Sequence, residues 1–201
     1  MQKHLLLIFV KDPEAGKVKT RLAKDIGQEK ALQAYRRLLA HTLEVVRPVQ
    51  AQKAVYYGNR IPAHDLWAAA QFPRYLQQGE TLGQRMEQAF RQGFEQGYRH
   101  ILIIGSDCAH LSTSILETAF DKLQQYETVL GPATDGGYYL LGMNALFSPV
   151  FHHKAWSTDT VLAHTLADLQ AAGKTVFLLP TLSDVDTGKD LKGTFLEDLA
   201  E

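Results

Sequence analysis

Cysteine is almost missing from this chain: Cys108 is the only one in 201 residues, so no internal disulfide can form. That usage agrees with a reducing compartment, and the cytoplasm is the expected location. Long apolar runs are missing as well. The first, residues 5–10, stops at Lys11 and Asp12 and is too short for a signal-peptide core or a membrane span. It reads as a strand. Charge of either sign is not in excess: 21 Lys and Arg against 22 Asp and Glu leave a net charge of -1. No global field therefore draws the protein to nucleic acid or to an anionic membrane, and neither is an expected partner. Any anion it binds must be met locally. Internal repeats and low-complexity linkers are absent too, as are the two familiar nucleotide loops. No Gly-Lys-Ser/Thr closes a Walker loop, and no Gly-x-Gly-x-x-Gly follows a strand.

What is present is 45% hydrophobic content in a length that supports one sizeable core, so a single domain over residues 1–201 is expected. Residues 4–10 form an apolar run ended by charge, the pattern of a strand buried on both faces, and the order of elements makes it the expected central strand. Within residues 28–47, Ala31, Leu32, Tyr35, Leu38, Leu39, Thr42, Leu43 and Val46 recur at three- and four-residue intervals, which predicts an amphipathic helix. Strands are expected at 53–57, 100–105, 128–132, 138–143 and 175–179. Helices are expected at 82–96, 111–123, 158–172 and 190–199. Ser114 and Glu117 have capping-box spacing. This alternation predicts an α/β fold, a three-layer α/β/α sandwich, with ligands at the carboxyl ends of the strands.

Five loops can carry chemistry. Residues 11–22 place Lys11, Lys17, Lys19 and Arg21 with Gly16 and Thr20 between a strand and a helix. Glycine admits an anion close to the backbone, a helix start offers free N–H groups, and the cations supply charge, so the segment suits a phosphate. A solvated basic turn is the equal alternative. Asp107 follows an apolar strand, where a carboxylate can hold a hard cation or cap the next helix. Asp184 and Asp186 share a face if their segment is extended and could join Asp107 around one Mg²⁺, or cap a terminal helix. Gly83 and Arg85 could approach a ribose or base, although an ordinary helix start explains them as well. Asp135, Gly136 and Gly137, followed by two tyrosines, suit an acceptor pocket or a tight β connection. His152 and His153 read as a surface loop, Cys108 as structural, and residues 156–159 as a helix start with a capping hydroxyl.

In order along the chain, Phe9-x-Lys11-x-Pro13-x-x-Gly16-x-x-Lys19-Thr20-Arg21-Leu22, Gly105-Ser106-Asp107, Gly131-Pro132-Ala133-x-Asp135-Gly136-Gly137-Tyr138 and Asp184-x-Asp186-Thr187 resemble a bacterial family of glycosyltransferase-like proteins. That family is described as radical-SAM- or selenodomain-associated and is similar to 2-phospholactate and molybdenum-cofactor guanylyltransferases. The resemblance implies a glycosyltransferase-A fold, a mixed, mostly parallel sheet with one antiparallel strand, and Mg²⁺ or Mn²⁺ held by Asp107 and Asp186. It also implies a triphosphate held by Lys11, Gly16, Lys19 and Arg21. Where the family usually has proline two residues after the aspartate, this chain has Ala109.

The leading expectation is nucleotidyl transfer from a nucleoside triphosphate to a phosphate or hydroxyl acceptor, with Lys11, Lys19, Arg21 and Asp107 as the catalytic set. Glycosyl transfer from a nucleotide-sugar and a non-catalytic nucleotide-binding scaffold are the two rivals. The expected partners are thus a nucleoside triphosphate or nucleotide-sugar and a small-molecule acceptor, with homodimerisation left open.

Overall fold

In the run His4–Val10 every residue except Phe9 is buried, and its side chains divide by parity. Leu6, Ile8 and Val10 join one core cluster while Leu5 and Leu7 join another, so this strand, β1, is covered on both faces. The computed structural model describes residues 3–200. In it β1 sits in a seven-stranded sheet with β2 (Gln52–Tyr57), β3 (Arg74–Leu76), β4 (His100–Ile104), β5 (Thr128–Pro132), β6 (Tyr138–Met143) and β7 (Val176–Leu178). The order is β3-β2-β1-β4-β6-β5-β7, and β6 alone runs antiparallel to its neighbours. The centre is therefore β4, with β1 beside it, which corrects the expectation that β1 lies in the middle.

Six α-helices lie among the described residues: α1 (Leu22–Ile26), α2 (Gln28–Val46), α3 (Leu66–Ala69), α4 (Leu82–Glu95), α5 (Thr113–Lys122) and α6 (Val161–Ala171). Tyr35, Leu39, Leu43 and Val46 of α2 and Leu116, Ala119 and Phe120 of α5 pack on one face of the sheet. Met86, Ala89 and Phe90 of α4 and Leu169 of α6 pack on the other. This is the three-layer α/β/α sandwich, a mixed, mostly parallel sheet between helices. No helix among the described residues is long and apolar enough to cross a membrane.

Several local readings change. The cap of α5 is Ser112, whose side chain accepts from the Ile115 N–H at 3.4 Å, so Ser114 and Glu117 do not form the box. Helix α6 starts at Val161, because Ser157 takes a φ of 66° and breaks the preceding turn. The expected terminal helix is instead two short 3₁₀ segments, Gly188–Leu191 and Glu197–Leu199, interrupted by Gly193 at φ 72°. Leu191 and Leu199 of these segments and Leu196 between them bury against Leu22 of α1 and Ala34 and Leu38 of α2, strapping the chain end over the first βα unit.

After β1 the chain builds outward through β2 and β3, then returns to lay β4 against the free side of β1. Strand order thus reverses between β1 and β4. Their carboxyl ends open a crevice of the kind in which open α/β sheets bind ligands.

Candidate functional site

The loop after β1 enters this crevice. Gly16 takes φ 75° and Lys17 N donates to Glu14 O at 3.1 Å, closing a tight turn. Two neighbours are consumed internally: Lys17 pairs with Glu14, and Arg60 pairs with Asp12 and Glu14. Lys19 is different. It is a non-glycine residue at φ 47°, a conformation seldom adopted without compensation. The turn directs its side chain inward, where it is only 4% exposed. Its Nζ lies 2.7 Å from Asp107 Oδ1 and 3.7 Å from Asp186 Oδ1, and Arg21 Nη2 lies 3.0 Å from Asp186 Oδ2. The contact to Asp107 is an ion pair without hydrogen-bond alignment, so the buried ammonium keeps donors for another oxygen. Lys11 and Thr20 are exposed on the loop after β1, and Lys11 forms no ion pair among the described residues.

Tyr35 of α2 fastens the two switch-point loops together. Its hydroxyl accepts from Lys11 N at 2.8 Å, donates to Lys11 O at 3.2 Å and lies 3.3 Å from Ser106 Oγ. Burial, and then the charge of Asp107, push its phenol up to about 12. The helical spacing of Tyr35 marked it as core, and nothing in that periodicity announces the hydrogen bonds.

Asp184 and Asp186 arrive on an extended segment that runs between the other loops. Leu182 bridges Ala133, Asp184 bridges Cys108, and Val185 N donates to Asp107 O at 2.9 Å while its side chain is buried beside Leu22. Asp190 then fixes the bend: its Oδ2 accepts from Asp186 N at 3.0 Å, Thr187 N at 2.7 Å and Thr187 Oγ1 at 2.9 Å. The helix-capping alternatives for Asp107, Asp184 and Asp186 fall away, since Ser112 and the Thr187–Asp190 pair do the capping. Burial first, and with it the charges around it, raise the Asp184 carboxyl to about 7. Among those charges Asp107 contributes most to the rise, Lys19 opposes it, and Asp135 and Asp186 add smaller amounts. Four carboxylates thus share one neighbourhood with one buried ammonium.

Beside this cluster lies a cavity of about 210 Å³. Phe9 of β1, Ile103 and Ile104 of β4, Met86 of α4, the turn at Asp135 and Gly137, Tyr138 and Tyr139 of β6, Trp156 and Asp184 form much of its wall. Gly136 builds that wall by close approach. It sits at φ 86°, its O accepts from Leu162 N at 2.9 Å, and a Cβ there would stand 2.1 Å from Asp159 O. Asp135 Oδ1 accepts from Gly137 N at 2.9 Å, which orients the carboxylate. Residues 156–158, read from sequence as a helix start, are cavity wall instead.

Two expected contacts do not reach the crevice. Gly83 is buried where a Cβ would meet Phe151 O at 2.4 Å and Trp156 at 2.7 Å, so its smallness serves packing of α4 and not a ribose. Arg85 Nε donates to Gly79 O at 2.9 Å and lies outside the cavity wall. His152 is half-exposed and pairs with Glu87, in agreement with a surface loop. Cys108 is buried with its thiol pushed up to about 11 by burial and then by Asp184, in agreement with a structural role.

The donor set suits a hard divalent cation, because Asp107, Asp184 and Asp186 offer only oxygen. Among the described residues, no three carboxylate, histidine or cysteine side chains converge as a metal-ligating group. Asp107 and Asp186 flank Lys19 Nζ from two sides. Two carboxylates, with phosphate oxygens and water completing the shell, are the complement that Mg²⁺ sites use. The residues fit such an ion in that two-carboxylate form.

Residues 32–158 match a family model described as uncharacterized protein conserved in bacteria (DUF2064). The chain belongs to this family. No curated protein matches it. Among solved structures, it is similar to a Desulfovibrio desulfuricans G20 protein provisionally named a nucleotide-diphospho-sugar transferase. The two are 31% identical with a TM-score of 0.88, over 99% of this chain and 94% of that one. The same fold recurs in the inositol-1-phosphate CTP transferase from T. maritima, at 12% identity and a TM-score of 0.61 over 99% and 95% of the chains. It recurs again in Rv0371c from Mycobacterium tuberculosis H37Rv in complex with manganese, at 14% identity and a TM-score of 0.56 over 96% and 97%. The DUF2064 chain thus has the α/β fold of nucleotide-diphospho-sugar transferases and cytidylyltransferases.

Proposed function

We propose that this protein is a divalent-cation-dependent transferase with a nucleotide donor, and that its reaction is nucleotidyl transfer from a nucleoside triphosphate to a small acceptor with release of pyrophosphate. The observation that carries this reading is the position of Lys19. A buried ammonium with unaligned donors stands between Asp107 and Asp186 at the strand-order reversal, beneath a basic glycine-containing loop. In-line phosphoryl chemistry asks little of a protein beyond position and charge. Lys19 would meet a phosphate oxygen from below, with Lys11 and Arg21 supplying positive charge from the loop after β1. Held by Asp107 and Asp186, Mg²⁺ or Mn²⁺ would supply Lewis-acid stabilisation of phosphate charge. The names of the three similar proteins, which carry a nucleotide-sugar, CTP transfer and manganese, support the same class.

A thermal-shift panel of nucleoside triphosphates and nucleotide-sugars, each with and without Mg²⁺ or Mn²⁺, tests this first, because a ligand that binds only the native state raises its melting point. The expected result is a metal-dependent shift confined to one or two nucleotides. Asp107→Asn should then abolish it, and with it turnover, while the unliganded melting point barely moves. No shift from any donor would favour a scaffold that has lost turnover. Glycosyl transfer is the second reading, favoured by the name of the Desulfovibrio protein. Release of a nucleoside diphosphate in place of pyrophosphate would select it.

A further inference from the structure

The wall of the cavity beside the acidic cluster contains no lysine, arginine or histidine among the described residues. Its carboxylates are Asp135 and Asp184, and most of the rest is aromatic or aliphatic, with Phe9, Met86, Tyr138 and Trp156 from four different parts of the chain. The nearby cations face away from this wall: Lys19 stands between Asp107 and Asp186, Arg21 beside Asp186, and neither lines the cavity. A phosphate monoester carries between one and two negative charges near neutral pH. Moving it from water into a wall of two carboxylates and no cation is opposed both by lost hydration and by repulsion. A neutral ring compound meets neither cost and gains from burying its apolar face against the aromatic and aliphatic lining. At about 210 Å³ the cavity falls below the roughly 300–1,000 Å³ of drug-sized sites, so the occupant is small.

We propose that the acceptor is a small neutral polyol, a sugar or cyclic alcohol without a phosphate group, seated in this cavity; the proposal rests on the nucleotide-transferase reading above. The acceptor hydroxyl oxygen bonds to the α-phosphorus of the triphosphate. The bond from that phosphorus to the bridging oxygen breaks, pyrophosphate leaves with the electron pair, and the hydroxyl proton passes to the Asp135 carboxylate. The Gly137 N–H to Asp135 Oδ1 hydrogen bond holds that carboxylate at the cavity wall. A phosphate acceptor would need no such base, and would need a cation that the wall does not offer.

The chain has two tryptophans: Trp156 in the wall, and Trp67 buried in the core against Phe72 on the other face of the sheet. Quenching of Trp156, with Trp156→Phe as the blank, therefore reports cavity occupancy independently of turnover. Glucose, myo-inositol and glycerol are titrated against glucose 1-phosphate, inositol 1-phosphate and glycerol 3-phosphate, and pyrophosphate release is followed with the same six compounds. At least one neutral compound should quench Trp156 and support release at a half-saturating concentration about ten-fold or more below that of its phosphate, a difference of about 1.4 kcal/mol. Thr158→Lys, which adds a cation to the wall, should reverse that preference.

A phosphate that binds as well as its neutral partner, or quenching by none of the three neutral compounds, overturns the proposal. The nucleotide-transferase reading is judged separately, by the thermal shift with triphosphate alone. If no triphosphate binds, that reading falls while the fluorescence titration still decides the occupant. If a phosphorylated acceptor alone supports release, the transferase reading stands and this proposal falls.

Discussion

Lys19 Nζ stands 2.7 Å from Asp107 Oδ1 and 3.7 Å from Asp186 Oδ1, so a single ammonium ties the loop after β1 to both acidic loops. Its side chain is 4% exposed, against 41% for Asp107 and 28% for Asp186. Lys19→Met removes the charge that offsets Asp107, Asp184 and Asp186 while keeping most of the buried stem. The expected loss is about 2 kcal/mol, below the 3–5 kcal/mol of a fully buried pair because both carboxylates keep contact with water. Denaturant unfolding measures it. Mn²⁺ should restore part of the loss, and should stabilise the variant more than the wild type. Equal metal responses in the two proteins would separate Lys19 from the cation site.

Asp190 touches no substrate in this reading, yet three hydrogen bonds to its Oδ2 bend the chain that presents Asp186. Asp190→Ala should cost about 1–2 kcal/mol, in the range of a lost cap. It should also weaken metal-dependent nucleotide binding by roughly ten-fold. Asp190→Asn, which retains an acceptor oxygen, should recover most of the binding. Calorimetric titration of the nucleotide with Mg²⁺ separates the two variants. If alanine and asparagine bind nucleotide alike, the carboxylate does not position Asp186.

These two residues mark where sequence reading succeeded and where it stopped. The loop cations and Asp107, Asp184 and Asp186 were legible because charge stacked at the ends of apolar strands has few structural uses, and the structure does bring Lys19, Arg21 and the three aspartates together. The longer strands and helices were legible from periodicity. The short β3, α3 and α1 were not, since so few positions carry no period, whereas the equally short β4, β5 and β7 were marked by their apolar runs. Asp190 and Tyr35 were missed because each acts through a hydrogen bond to backbone distant in sequence or folded back upon itself. Trp156 was missed because its neighbours, Ser157 and Thr158, look like a cap. Gly83 was misassigned in the opposite direction, because a glycine required for packing against Trp156 reads in sequence like one that admits a ligand.

Gly136 and Gly173 offer a matched pair for the turn that walls the cavity. Both have positive φ, 86° and 66°, so alanine at either position meets the left-handed penalty of about 1 kcal/mol. At Gly173 a Cβ would find nothing within 4 Å, whereas at Gly136 it would stand 2.1 Å from Asp159 O and 2.5 Å from Asp159 Cα. Gly136→Ala should therefore lose about 2–4 kcal/mol, the backbone penalty plus an overpacking cost, and should alter Trp156 fluorescence. Gly173→Ala should lose about 1 kcal/mol and leave the fluorescence unchanged. Similar melting points for the two variants would mean that the turn can move away from Asp159 at little cost.

His4 lies at the opposite end of β1 from the crevice, stacked on Phe120 at 4.6 Å and edge-on to His100 at 5.1 Å. Burial lowers both imidazoles from their ordinary value of 6.5. The backbone at Gln50 and the charge of Asp121 partly offset this at His4, while His4 and Arg99 reinforce it at His100. Among the described residues, His4 Nε2 and His100 Nδ1 are buried without hydrogen-bond partners. Because the folded values lie below the unfolded ones, the unfolded chain binds more protons once the pH drops under about 6.5. Stability from this pair is thus fully present above that pH and declines as the pH falls toward the folded values. His4→Phe, which keeps an aromatic ring against Phe120, removes one of the two titrating groups and should flatten the decline between pH 7 and pH 5. Urea midpoints across that range decide the matter. A variant whose midpoints fall as steeply as those of the wild type would show that His4 accepts its proton in the folded state without penalty.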